Sequence, residues 1–167
     1  CHRDDKFRSY SPLRYTSLES CKPLFDRIYD EGGIIFGLLY GDAKFSHKAV
    51  VDLRKINNYL LREKFVFYLD FTCKYGITGQ NGGSVPLHVN NKPLIVYDMS
   101  YPYTLHFFGT KTIISLKKAI YKDGTPVRIE TLLNINNIET IVESQEIVFE
   151  TNSSEDLIRL YDELKII

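Results

Sequence analysis

The sequence predicts an α+β fold, a largely antiparallel sheet or partly closed barrel with an N-terminal helix and a C-terminal closing helix. Three observations lead there. Helix start and stop signals stand near the two ends of the chain, at Thr16–Gly33 and Ser153–Leu164. Between them, Phe65 to Phe108 holds the densest apolar runs, broken by glycine and turn residues in the manner of strands. An Asp-Gly pair at 123–124, flanked by apolar stretches, is a strong short-range hairpin signal.

Residues 1–15 form a polar lead-in with no periodicity that would bury a face, and residues 16–167 read as a single α+β domain. Thr16-Ser-Leu-Glu19 has the pattern of a capping box. Leu18, Cys21, Phe25, Ile28 and Tyr29 recur at helical spacing, and Gly32-Gly33 supplies a stop. These predict an amphipathic helix over roughly 17–31 with Cys21 as a small buried hydrophobe.

Gly33–Gly41 is continuously apolar and bounded by glycine, as in a strand buried on both faces. Over 46–62 the apolar positions Ala49, Val50, Leu53, Ile56, Tyr59 and Leu60 favour a helix, although Ala49, Val51 and Leu53 also suit a strand at its start. Phe65–Phe71 reads as a strand, and the loop carrying Gly76, Gly79, Gly82 and Gly83 as flexible or ligand-contacting. Strands starting at Pro93 and Tyr103 then form a hairpin about Met99–Pro102. A second hairpin joins 112–121 to 125–133, and Asn137–Val142 pairs with Gln145–Phe149. Ser153-Ser-Glu-Asp caps the last helix, whose packed face is Leu157, Ile158, Tyr161 and Leu164.

At 167 residues the chain is long enough to bury a core, and 44% apolar with 25% charged residues is ordinary for a globular protein. No segment approaches the ~20 apolar residues of a membrane span, so a soluble, cytoplasmic protein is expected. Cys1, Cys21 and Cys73 cannot all pair and have no C-x-x-C spacing, which fits reduced thiols. The sequence begins at Cys1 rather than Met, as expected of either a boundary within a longer chain or a processing site. A lipid-modified terminus also begins with Cys, but the charged residues that follow it are unlike a flexible tether.

Twenty-one basic residues balance twenty-one acidic ones. That excludes a protein basic throughout, the simplest kind of nucleic-acid binder. The distribution is uneven: residues 40–127 carry twelve Lys or Arg against six Asp or Glu, and residues 128–167 carry three against nine. Lys44, Lys48, Arg54, Lys55, Arg62, Lys64 and Lys74 are the candidate basic face, with Lys48, Arg54, Lys55 and Arg62 expected along one side of the 46–62 helix. An ordinary solvated surface is the alternative reading of the same charges.

Catalytic and metal-binding patterns are absent from the sequence. His2, His47, His88 and His106 are scattered, with no ligand pair at helical spacing. The glycine-rich loop has neither Gly-Lys-Ser/Thr nor G-x-G-x-x-G. Cys73 with His88 or His106 and Asp70 or Asp98 contains the residue types of a nucleophile, base and orienting acid. Residue types alone do not make a site, so Cys73 is expected to be structural, and no cofactor or metal is expected.

Cys73-Lys-Tyr-Gly76, then Asn91-Lys92-Pro93-Leu-Ile95, then Tyr103–Thr110 with Phe107-Phe108, follow one another in an order that resembles the competence transcription factor ComK family. Leu133–Ile141 and Glu146–Phe149 are similar to the segment that comes next, so the likeness covers about residues 60–155. Cys73, Gly76, Lys92, Pro93, Phe107 and Phe108 carry it. The family's Gly-Arg pair after the cysteine is missing, and Gly109 stands in place of a proline.

The resemblance implies a cytoplasmic transcriptional activator that binds AT-rich double-stranded promoter DNA, largely through the minor groove. Such proteins read groove width with a few Lys, Arg, Asn or Gln side chains. Asn57, Asn58, Gln80, Asn81, Asn90 and Asn91 are suitable readers, and equally ordinary turn residues. The alternative from another class is a non-catalytic α+β module that binds a protein or a small ligand. An enzyme of unknown reaction is the third.

Overall fold

The computed structural model describes residues 13, 16–37, 45–80, 84–100, 109, 111–134 and 146–167. A 3-10 turn at Glu19–Cys21 leads into helix α1, Lys22–Asp30. The expected capping box does not form: neither turn nor helix has a side-chain cap. Pro23 sits in the first helical turn instead, where its missing N–H is one the helix could not satisfy anyway. The predicted core face is present, with Cys21, Phe25 and Ile28 buried beside Leu24, while Tyr29 stays 45% exposed. Gly32, at φ 81°, ends the helix in a conformation that costs other residues more.

Strand β1, Ile35–Gly37, pairs in parallel with β2, Val50–Asp52. Over 33–37 the expected strand buried on both faces is corrected, and the rest of that run, 38–41, lies outside the described residues. Ile34 and Phe36 are exposed, because β1 gains only a three-residue partner among the described residues. The predicted 46–62 helix is also absent. His47 Nδ1 accepts from the Ala49 amide at 3.2 Å, and Asp52 accepts from the Arg54 amide at 3.0 Å to cap a 3-10 turn at Leu53–Lys55. Polar side chains that bond their own backbone in this way compete with a continuous helix.

The helix comes later, as α2, Tyr59–Thr72, and includes the run expected to be a strand. Asn58 caps it by accepting from the Leu61 amide at 3.0 Å. With Asn58 fixing the start, Phe65–Phe71 continues a fourteen-residue helix.

Strand β3, Gly76–Thr78, short helix α3, Val85–Val89, strand β4, Leu94–Met99, and strand β5, Thr112–Leu116, follow. Thr78 and Gly76 are buried in β3, so this part of the expected flexible loop is structural. The sheet order is β3-β4-β5 and both pairings are parallel, against the antiparallel expectation. The hairpin partner proposed for β4, Tyr103–Phe108, lies outside the described residues.

All six β4 residues are buried, as in a central parallel strand covered on both faces. Ile95 and Tyr97 join the core formed with α1, whereas Leu94, Val96 and Met99 pack with Leu87, Ile114 and Leu116. Met99 reaches that second face because the register slips between Val96 and Met99, adding one residue opposite β5.

Strand β6, Lys118–Tyr121, turns at Asp123-Gly124 as expected, with Gly124 at φ 85° and Asp123 accepting from the Thr125 amide at 2.9 Å. The return strand is cut to a single bridge, Ile120 to Pro126, before helix α4, Ile129–Asn134. β6 pairs antiparallel with β7, Ile147–Glu150. The strand expected at Asn137–Val142 lies outside the described residues.

Helix α5, Ser154–Leu164, closes the chain under a full capping box between Ser153 and Asp156. Leu157, Leu160, Tyr161 and Leu164 pack on the α1 core. The fold is mixed α and β, with helices near both ends and three small described sheets, none closed into a barrel. Two of those three are parallel. Among the described residues no helix is long and apolar enough to cross a membrane.

Candidate functional site

Between α2 and the α1 core lies an open, mostly apolar cavity of about 600 Å³. Cys21 just before α1, Phe25 and Ile28 of α1, Ile35 and Phe36 of β1, Tyr75 beside β3 and Ile77 within it form its floor and sides. Phe65, Val66 and Leu69 wall it from α2. Phe65 meets Phe36 edge-on with ring centroids 5.6 Å apart.

Helix α2 has no buried residue, although its sequence is apolar on most sides. Leu60, Leu61, Phe67, Tyr68 and Phe71 are all exposed, with Phe67 and Phe71 in contact at 4.8 Å between centroids. A helix apolar all round ordinarily belongs inside a fold. Here the inner face of α2 looks onto a cavity and its outer face onto solvent.

The cavity's chemistry is sparse. Among the described residues, Asp70 and Lys74 are the charged ones that line it. Burial pushes the Asp70 carboxyl above its usual range, and Asp70 has no ion pair among the described residues. Its backbone carbonyl accepts from Asn90 Nδ2 at 3.4 Å. Cys21 donates to the Tyr97 hydroxyl at 3.4 Å, and burial raises its thiol to about 11.

Cys73 stands at the C-terminal end of α2, half-buried, with its thiol also raised by burial despite the opposing pull of Lys92. Neither thiol is activated as a nucleophile. Among the described residues no hydrogen bond joins the Cys73 side chain to a His or Asp, although Asp70 lies near enough to raise the thiol further. His88 Nδ1 accepts from the Gly109 amide at 3.0 Å, Asp98 is engaged with Asn152, and His106 lies outside the described residues.

The basic residues do not share one helix face, because the helix expected to carry them is not formed. Lys48, in the approach to β2, pairs with Asp26 at 3.1 Å and with Asp30 at 3.7 Å. Arg54 and Lys55 lie on the 3-10 turn, where Arg54 grips the Asp52 carboxylate at 2.8 Å. Arg62 and Lys64 belong to α2, Arg62 lying 3.8 Å from Glu63, and Lys74 follows the helix. Lys55, Lys64 and Lys74 are exposed. Lys44 lies outside the described residues.

Three of the suggested base readers have structural partners: Asn58 caps α2, Asn90 reaches the Asp70 carbonyl, and Gln80 Oε1 accepts from the Ser100 amide at 3.0 Å.

Two of the motif elements meet. The Gly76 amide donates to the Pro93 carbonyl at 2.9 Å where β3 joins β4, and the Lys92 amide donates to the Leu87 carbonyl at 2.9 Å. Gly76 is buried where a Cβ would press on Leu87 and Leu94. Phe107 and Phe108 lie outside the described residues.

No protein-family model matches the chain, no curated protein matches its sequence, and no solved structure matches its fold. The likeness to the ComK family rests on the quoted residues alone.

Sequence reasoning missed the cavity and the exposure of α2. The available signal was Asn57-Asn58 ahead of Tyr59-Leu-Leu-Arg-Glu-Lys64, a cap followed by helix formers. No local signal could show that the inner face of that helix stands off the core.

Proposed function

We propose that this chain is a non-catalytic α+β binding module that takes a small apolar molecule into the cavity beneath α2. The observation that carries the reading is the cavity itself. Its volume of about 600 Å³ falls within the ~300–1,000 Å³ typical of small-molecule sites, and its lining is mainly apolar. An occupant would also give the inner face of α2 the contacts that this helix, with no buried residue, lacks.

The test is a titration with N-phenyl-1-naphthylamine, a neutral dye that brightens in apolar surroundings. Saturable enhancement is expected, lost when Val66→Trp fills the space while far-UV circular dichroism stays unchanged. Absence of saturable binding by the native chain would overturn the reading.

The exposed lysines favour a second reading, an AT-rich DNA-binding regulator similar to ComK. Lys55, Lys64 and Lys74 have no ion pair among the described residues, so their charge is available to phosphates. Duplex titration at several salt concentrations tests it.

A further inference from the structure

We infer that the occupant of the cavity beneath α2 is a cationic amphiphile, an apolar body carrying a protonated amine that pairs with Asp70. The inference rests on the small-ligand reading above and adds the chemistry of the head group.

Val66, Leu69, Asp70 and Cys73 recur at three- and four-residue spacing along α2, and all four line the cavity. Asp70 therefore belongs to the helix face that the cavity bounds. It is only partly exposed, and no Lys, Arg or His among the described residues pairs with it. A carboxylate drawn part-way out of water against apolar walls is costly unless something compensates its charge.

Lys74, the other charged residue of the lining, does not supply that compensation: it is exposed, and it makes no ion pair with Asp70. A ligand carboxylate would face Asp70 as a like charge. A neutral head would leave Asp70 as it is, whereas an ammonium gives it a charge-assisted hydrogen bond in surroundings drier than bulk water. Apolar walls select the body and Asp70 selects the head.

The experiment displaces N-phenyl-1-naphthylamine from the full chain with three ligands of equal length: dodecylamine, dodecanol and dodecanoate. Dodecylamine is expected to displace the dye at a concentration about tenfold lower than either of the others. Asp70→Asn should abolish that advantage while leaving displacement by dodecanol unchanged, and Asp70→Glu should keep it. Dye binding by each variant shows that the cavity is intact.

Equal displacement by all three ligands, or an amine preference that survives Asp70→Asn, overturns the head-group assignment and leaves the cavity reading standing. A chain that binds neither dye nor ligand overturns both.

Discussion

Asp98 and Asn152 hold each other by reciprocal hydrogen bonds: the Asp98 amide donates to Asn152 Oδ1 at 2.8 Å, and the Asn152 amide donates to Asp98 Oδ1 at 2.5 Å. Asn152 Nδ2 adds a bond to the Leu116 carbonyl at 3.1 Å. The pair ties the residues just before α5 to the ends of β4 and β5. Asp98 lies within the register slip of β4, at φ 54°, in the left-handed region that Asp and Asn tolerate better than most residues.

Asp98 is fully buried, and its Oδ2 has no hydrogen-bond partner among the described residues. Burial pushes its carboxyl up to about 6, against the opposing pull of the Asn152 amide and Lys117. The folded chain thus holds this proton more tightly than the unfolded chain, where an aspartate titrates near 3.8. The cost of the buried charge is absent below about pH 4 and complete above about pH 6. Asp98→Asn removes the charge, keeps an acceptor for the Asn152 amide and suits the same backbone. It should raise stability at pH 8 by about 1–2 kcal/mol and flatten the decline between pH 4 and 6. Urea midpoints at both ends of that window check it. A variant that declines like the native chain would count against the account.

Asn152→Ala acts in the opposite direction. It leaves the buried Asp98 amide and the Leu116 carbonyl without Asn152 as a partner, at an expected cost of about 2–3 kcal/mol. Denaturant unfolding of the single variant tests this, and a loss under about 0.5 kcal/mol would mean that the bonds are replaced by water.

Glu31 joins α1 to α5 from the surface. Its carboxylate accepts from Lys165 Nζ at 2.6 Å, the Tyr161 hydroxyl at 2.9 Å and Arg27 Nε at 3.1 Å, and these bonds hold it down at about 2. A depressed carboxylate contributes stability above its unfolded value of 4.5, and that contribution is lost as pH falls toward 2. Glu31→Gln should therefore lower the melting temperature at pH 6 and leave it close to native at pH 2. Thermal melts at the two pH values decide between this and a loss that is the same at both.

Cys21 and Cys73 should both resist alkylation in the native chain, because burial raises each thiol. Native-state labelling at pH 7.5, located by peptide mass spectrometry, is expected to leave Cys21 unmodified and to modify Cys73 slowly. Cys73→Ser should cost about 1 kcal/mol, since its site is only half-buried. Rapid labelling of Cys73 would instead revive a catalytic role for it.

If Lys55, Lys64 and Lys74 contact phosphates, the affinity for an AT-rich duplex should fall with salt at a log–log slope of about −3, near −0.9 per contact. Lys55→Ala should flatten that slope by about one unit, and Glu155→Ala should leave it unchanged. A GC-rich duplex of equal length should bind more weakly, since the minor groove separates A·T from G·C. Fluorescence anisotropy measures all three. No binding tighter than ~10⁻⁴ M would end the DNA reading.

The sequence by itself determined the elements whose cause is local. Ser153 and Asp156 satisfy each other's end of α5 across three residues. Gly32 and Gly124 take the left-handed conformations that end α1 and turn β6, and Cys21, Phe25 and Ile28 share a face because a helix repeats every 3.6 residues. Each of these could be read within a few positions of chain.

Tertiary structure decided the rest. The helical state of Phe65–Phe71 had a local cause in the Asn58 cap, masked by a run rich in strand formers with no clear period, but that none of α2 is buried was decided by what the helix faces. The apolar run of β4 called for cover on both faces, but the parallel direction of its neighbours came from how β3 and β5 reach it. Asp98 and Asn152 stand 54 positions apart, and the cavity that includes Asp70 exists only because α2 stands off the α1 core. Local signals act over one helical turn, whereas a cavity or a buried polar pair is a relation between segments that meet only when the chain has folded.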